Sequence, residues 1–275
     1  MLILPAKGSR QVNILLIYDR NVILENYIGL AQVLGRYGNV SMPDLPGFGG
    51  MDSFFKVNRK PILDNFADYL ASFVKLRFKR RRFVVVGCGF GFVIATRMLQ
   101  RYPELAKRVD LSISLGGYST SNDFSMSRLQ KTVNLQLSKI LSVWLPYKLS
   151  RMAYVGSPLT SMIRLVNADV LHTVPVRNLR NRRTMIATLS WLMDFSNCDD
   201  RLAIDALHVS YLKDVRFKHN NVEQHMGVTY AHVTRMNVRK GLLTYEALST
   251  RRLASTMLPR RVKQELRRLS VVTHA

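Results

Sequence analysis

Short apolar runs alternate with amphipathic stretches through the first half of the chain. Asn13-Ile14-Leu15-Leu16-Ile17-Tyr18 has the nearly unbroken apolar character of a strand buried on both faces. Glu25 to Tyr37 carries apolar residues at helical spacing and meets Gly38, a helix stop. Asn39 to Pro43 predicts a second strand, and Pro61 to Arg80 a long helix with proline near its start. Phe83 to Gly87 predicts a third strand, Phe90 to Arg101 a helix stopped before Pro103, and Val109 to Leu115 a fourth strand. Continuous apolar strands separated by helices predict an α/β fold, a mostly parallel sheet flanked by helices.

From Tyr118 to about Asp200 the pattern changes. Apolar and basic residues interleave at helical period in Ser127–Leu145, Pro146–Leu171 and Asn178–Phe195, with Pro146, Pro158 and Pro175 as breaks. Alternation then resumes, with strands at Leu207 to Tyr211 and His232 to Val238. A helix from Val222 to Tyr230 lies between them, and a basic helix from Leu258 to Leu269 follows. The predicted organisation is a core of residues 1–117 and 201–275, interrupted by a helical insertion over 118–200.

Composition suits this plan. At 275 residues and 47% hydrophobic, the chain can bury a large core as one domain with an insertion. Two cysteines, Cys88 and Cys198, make neither a disulfide framework nor a metal-ligand spacing, so a reducing cytoplasm is the expected location and no metal is expected. Met1 to Pro5 is apolar but lacks a basic region before it and meets Lys7 and Arg10 too soon for a signal peptide. The longest uncharged run, Phe83 to Thr96, is too short to span a bilayer, so no membrane span is expected.

Charge adds a partner class. Forty-one Lys and Arg against eighteen Asp and Glu give a net +23, which attracts polyanions without sequence preference. Basic residues crowd Lys75 to Arg82, the segment Arg177, Arg180, Arg182 and Arg183, and the C-terminal stretch with Arg251, Arg252, Arg260, Arg261, Lys263, Arg267 and Arg268. A basic surface with no dedicated partner also accounts for these runs, and cations at a helix C-terminus meet its dipole favourably. No nucleic-acid-binding motif accompanies them.

Chemistry points to one turn. Val86-Gly87-Cys88-Gly89-Phe90-Gly91 follows a strand and opens a helix, the form of a nucleophile elbow. Earlier, Met42-Pro43-Asp44-Leu45-Pro46-Gly47-Phe48-Gly49 ends a strand with the pattern D-x-P-G-x-G. Together with the helical insertion, these features resemble the α/β-hydrolase superfamily, esterase-like or epoxide-hydrolase-like, over about Asn13 to Leu269. The insertion then corresponds to the family's cap. Whatever the function, Gly87 and Gly91 let strand and helix approach closely, and Gly47, Gly49 and Gly50 permit a tight turn.

The resemblance also implies catalytic positions, and each is altered. The elbow centre is Gly89, with no side chain to attack. The acid segment, Tyr211-Leu212-Lys213-Asp214-Val215-Arg216-Phe217, puts Val215 near the functional aspartate and Asp214 one residue away. Where the family has G-H after the last strand stands Arg239-Lys240-Gly241-Leu242-Leu243, and no histidine lies between His232 and His274. The oxyanion loop, commonly H-G, is Tyr18-Asp19; an aspartate there is opposite in charge to the donors an oxyanion needs. Cys88 suits a small buried cysteine better than a nucleophile, and His208, His219, His225 and His232 lack metal spacing.

The expectation is therefore an α/β-hydrolase fold that has lost hydrolysis and binds a small apolar ligand or a partner, with no cofactor. An alternative is a hydrolase of ester-like substrates with a rearranged site using Asp214 or a group from the cap. A third is binding of S-adenosylmethionine or a nucleotide at the Gly87–Gly91 turn. Against that stand Val85 and the Leu115-Gly116-Gly117 strand end, where acids would be needed, and Phe92 in place of a third glycine.

Overall fold

The structure is a computed structural model that describes residues 1–6, 12–20, 22–48, 50–142, 182–239, 243 and 245–272. Among the described residues, seven strands form one sheet in the spatial order β1-β3-β2-β4-β5-β6-β7. In chain order they are β1 Leu2–Leu4, β2 Val12–Ile17, β3 Gly38–Met42, β4 Phe83–Cys88, β5 Val109–Leu115, β6 Leu202–Tyr211 and β7 Tyr230–Val238. All neighbours pair in parallel except β1, which runs antiparallel to β3 with Leu2 opposite Met42.

The central strands are apolar because both faces are covered. Every residue of β2 and β4 is buried, and helices α1 Ile28–Leu34, α2 Leu63–Phe78 and α3 Phe90–Arg101 bury their apolar sides in the same core. Phe66, Leu70 and Val74 form the inward stripe of α2, spaced at three to four residues as helical period requires.

Three elements depart from expectation. β6 begins at Leu202 rather than Leu207, because its first residues alternate buried and exposed. That part pairs with β7 alone; β5 joins only from Ala206 onward, where the run becomes continuously buried. β1 is a three-residue edge strand, too short for a periodic signal. The predicted helix from Glu25 opens as a 3-10 turn, Leu24–Tyr27, before α1.

A short helix, α4 Pro103–Ala106, follows α3, and the described ends of the segment 118–200 are helical, α5 Arg128–Ser142 and α6 Arg182–Leu192, which pack on each other. The stretch 143–181, with Pro146, Pro158, Pro175, Arg177 and Arg180, lies outside the described residues. After β6 come α7 His219–Thr229 and, beyond β7, α8 Tyr245–Ser249, α9 Arg251–Met257 and α10 Arg260–Val272. The basic final helix docks through Val262 and Leu266, both fully buried.

Candidate functional site

Strand order reverses between β2 and β4: the chain moves outward from β2 to β3, then returns to place β4 on β2's other side. Loops at the carboxyl ends of two such strands diverge and leave a crevice, the usual ligand position in an open α/β sheet. Here those loops are Tyr18-Asp19-Arg20 and the turn at Gly89.

The turn is tight for steric reasons that name its glycines. A Cβ on Gly87 would come within 2.5 Å of Phe92 Cα, and one on Gly91 within 2.5 Å of the Ile17 and Tyr18 carbonyl oxygens. Gly89 itself has φ +47° and ψ −115°, a conformation that side chains disfavour, and its N–H donates to the Leu115 carbonyl at 3.1 Å. These are the glycine roles expected of an elbow.

Asp19 fills the space where the elbow's side chain would stand. A Cβ on Gly89 would lie 2.6 Å from Asp19 Cγ and Oδ2 and 2.7 Å from Oδ1. Asp19 Oδ1 accepts from the Phe90 N–H at 2.8 Å and from the Arg20 N–H at 2.8 Å. One donor follows Gly89 and the other follows Asp19 itself on the loop after β2. The Asp19 carboxyl oxygen thus sits on two backbone donors at the positive end of α3. Burial pushes the Asp19 carboxyl above its ordinary pKa; the Phe90 N–H, Arg216 and Arg20 act in the opposite direction.

Neighbouring residues hold Asp19 in place. Tyr18 donates to Asp44 Oδ1 at 2.5 Å and accepts from the Leu45 N–H at 2.6 Å, while Tyr69 donates to the Asp44 carbonyl at 2.8 Å. The D-x-P-G-x-G loop is thereby tied to the oxyanion loop. Gly47, at φ +84°, brings that loop against Thr184 of α6, whose hydroxyl lies 2.5 Å from that of Ser53. Gly49 lies outside the described residues. Trp191 of α6 donates to the Pro61 carbonyl at 2.7 Å and packs on Phe90 with ring centres 5.4 Å apart. The described end of the insertion therefore lies directly against the elbow.

The acid segment is engaged elsewhere. Asp214 is buried and accepts from Arg216 Nε at 2.7 Å and Nη2 at 2.6 Å, a bidentate pair. Val215, expected near the position of a family acid, is 82% exposed. A small cavity of about 10 Å³ lies between Gly116, Gly117, His208, Ser210, Asp214 and His219, room for about one water. Gly241, expected where the resemblance places a histidine, lies outside the described residues, as do Lys240 and Leu242.

Among the described residues, His208, His219 and His225 hydrogen-bond to nearby side chains. His208 is buried with Nδ1 3.0 Å from Ser114 Oγ, and burial, with Arg235 and His219 adding to it, pulls its pKa down to about 3. His219 Nδ1 lies 2.9 Å from Ser210 Oγ. His225 Nδ1 lies 2.5 Å from Asp123 Oδ1, and Asp123 Oδ2 accepts from the Ser119 and Thr120 N–H groups at 2.7 and 3.0 Å. This pair ties the start of the insertion to α7. Its partners are remote in sequence and share no motif, so sequence reading passes over it. Arg216 stands only two residues from Asp214, but residue type alone does not show that its side chain folds back onto that carboxylate. His232 is exposed. Cys88 is fully buried, and its thiol pKa is driven up by burial first and by Asp19 second. Among the described residues no group of three or more metal-ligating side chains gathers, and no helix is long and apolar enough to cross a membrane.

No family model matches the chain, and no curated protein does. Solved structures do. A thermophilic esterase from Thermogutta terrifontis superposes with a TM-score of 0.66 at 12% identity, covering 98% of this chain and 93% of that one. A lipase-esterase related protein from Clostridium acetobutylicum gives 0.63 at 13% identity, covering 96% and 98%. An alpha/beta hydrolase fold protein from Nakamurella multipartita gives 0.56 at 17% identity, covering 98% and 94%. At such identities the likeness establishes architecture, and the architecture of this chain is the α/β-hydrolase fold.

Proposed function

We propose that this chain uses the α/β-hydrolase fold without its hydrolytic chemistry, and that its function is to bind a small ligand or a partner. The observation that carries this reading is Asp19. Its carboxylate stands in the nucleophile's space and accepts from the N–H groups that would stabilise an oxyanion. A substrate carbonyl would meet a negative charge where it needs donors. Asp214 offers no replacement base while Arg216 holds both its oxygens. The Asp19 carboxylate disfavours a nucleotide or S-adenosylmethionine at the Gly87–Gly91 turn, since the helix N-terminus that would receive a phosphate or carboxylate is already taken.

The test is an ester panel run on the wild type, Gly89→Ser, Asp19→Gly and the Asp19→Gly/Gly89→Ser double variant. Hydrolysis of p-nitrophenyl esters at the buffer rate is expected for all four. Gly89→Ser alone should lose about 2 kcal/mol of stability or more, because its Cβ overlaps the Asp19 carboxyl, and the double variant should recover much of that loss. Turnover by the wild type that disappears in Asp214→Ala or Asp19→Asn would falsify the non-catalytic reading.

A further inference from the structure

The opposite end of the sheet carries a second feature. The amino ends of β3, β2, β4 and β5 lie side by side, with Gly38 beside Val12, Asn13 beside Phe83, and Phe83 beside Val109. Adjacent strands are about 4.8 Å apart, so these ends span roughly 15 Å. Basic residues enter three of them: Arg36 ahead of β3, Lys79-Arg80-Arg81-Arg82 ahead of β4, and Lys107-Arg108 ahead of β5. Helix α10 adds Arg260, Lys263 and Arg267, and like-charge repulsion from Arg267, Arg36 and Arg260 helps burial lower the Lys263 pKa, placing this group beside Arg36.

Few carboxylates answer this row. Asp110 pairs with Arg82 and Glu104 with Lys75. Among the described residues no ion pair engages Lys79, Arg80, Arg81 or Lys107, and all four are exposed. The turn that presents them is specifically built. Arg81 N–H donates to the Phe78 carbonyl at 2.8 Å, and Arg108 clamps the Arg81 carbonyl through Nε at 3.2 Å and Nη2 at 2.8 Å. Lys79 takes φ +48° and ψ −111°, the second position of a turn that glycine would occupy without strain. A charged side chain stands where the backbone favours none.

We infer that this row is a docking surface for the phosphodiester backbone of nucleic acid, at the end of the sheet remote from Gly89 and Asp19. Arginine predominates, and its planar fork suits phosphate oxygens better than a point charge does. The row is linear, as a tracked backbone requires. A membrane surface fits less well: Leu76 stands out beside the row, but Val262 and Leu266 of the amphipathic α10 point into the core and cannot insert. The row reads no bases and makes sequence-independent contact.

Fluorescence anisotropy of the full chain with a labelled mixed-sequence DNA duplex, titrated with salt, tests this. Lys79→Gly/Arg80→Gln removes two cations from the row. Arg251→Gln/Arg252→Gln removes two exposed cations from α9, whose start abuts Gly29 near the carboxyl ends of the strands. The wild type should bind at about 0.1 M salt, and the first variant should bind about tenfold more weakly, with a log–log salt slope shallower by about 2. The second variant should stay within about twofold of the wild type. Melting temperatures accompany each measurement, and Lys79→Gly should melt about 2 °C higher, so weakened binding in it is not unfolding. The proposal is overturned by equal losses in both variants, which mark a net-charge effect, or by no binding at about 0.1 M salt. Displacement of the duplex by phosphatidylcholine–phosphatidylserine vesicles through the same row also overturns it, assigning the surface to membranes.

Discussion

Asp19 and Gly89 share one small volume at the site, and each explains the other. A carboxylate can lie over the turn only because residue 89 has no side chain, and a side chain at 89 is excluded while the carboxylate is there. Asp19 also sets a pH dependence. Its native pKa is raised above the ordinary value of 3.8, so the native state holds this proton to higher pH than the unfolded chain does. Stability attributable to Asp19 is therefore full below the ordinary value and falls as pH rises through the interval up to the native pKa. Asparagine keeps an oxygen acceptor for the Phe90 and Arg20 N–H groups and removes the charge. Asp19→Asn should stabilise the protein at pH 7 by on the order of 1 kcal/mol, a gain that vanishes near pH 3. Urea unfolding at the two pH values measures it; an equal effect at both would show that the carboxyl is not desolvated as described.

At the scale of elements, the junction of β2, β4 and α3 determines the geometry. Gly91 lets α3 touch the carbonyls that end β2, whereas Gly227, on the exposed side of α7, has nothing within 4 Å of its added Cβ. Alanine at these two helical glycines should act in opposite directions. Gly91→Ala is expected to cost about 2 kcal/mol or more through overlap with backbone that cannot retreat. Gly227→Ala should add about 0.5–1 kcal/mol through helix propensity. Chemical denaturation of the pair checks both signs. The elements themselves were largely legible in the sequence. α3 and β5 fall where the apolar pattern and Pro103 put them, because a buried strand and a stopped helix are local signals. β1 and the first half of β6 escaped because a short edge strand and a strand with one covered neighbour carry little of that signal.

Across the whole molecule, a net charge of +23 on 275 residues repels itself. Added salt should raise the melting temperature by a few degrees between about 0.02 and 0.3 M, as screening shortens from roughly 20 Å toward 6 Å. The rise should be smaller in Lys79→Gly/Arg80→Gln; a melting temperature indifferent to salt in the wild type would contradict the picture. Taken alone, the sequence determined the α/β class and the glycines of the strand–helix turn at Gly87 to Gly91. Those properties reside in residue type and in spacing along the chain, where burial and turn chemistry leave direct marks. Only the tertiary structure decided that Asp19 lies over Gly89 and that Asp123 joins His225. The same holds for the cations gathered at one end of the sheet. Each depends on groups brought together by strand order, and parallel strands acquire neighbours through crossovers whose endpoints no local pattern records.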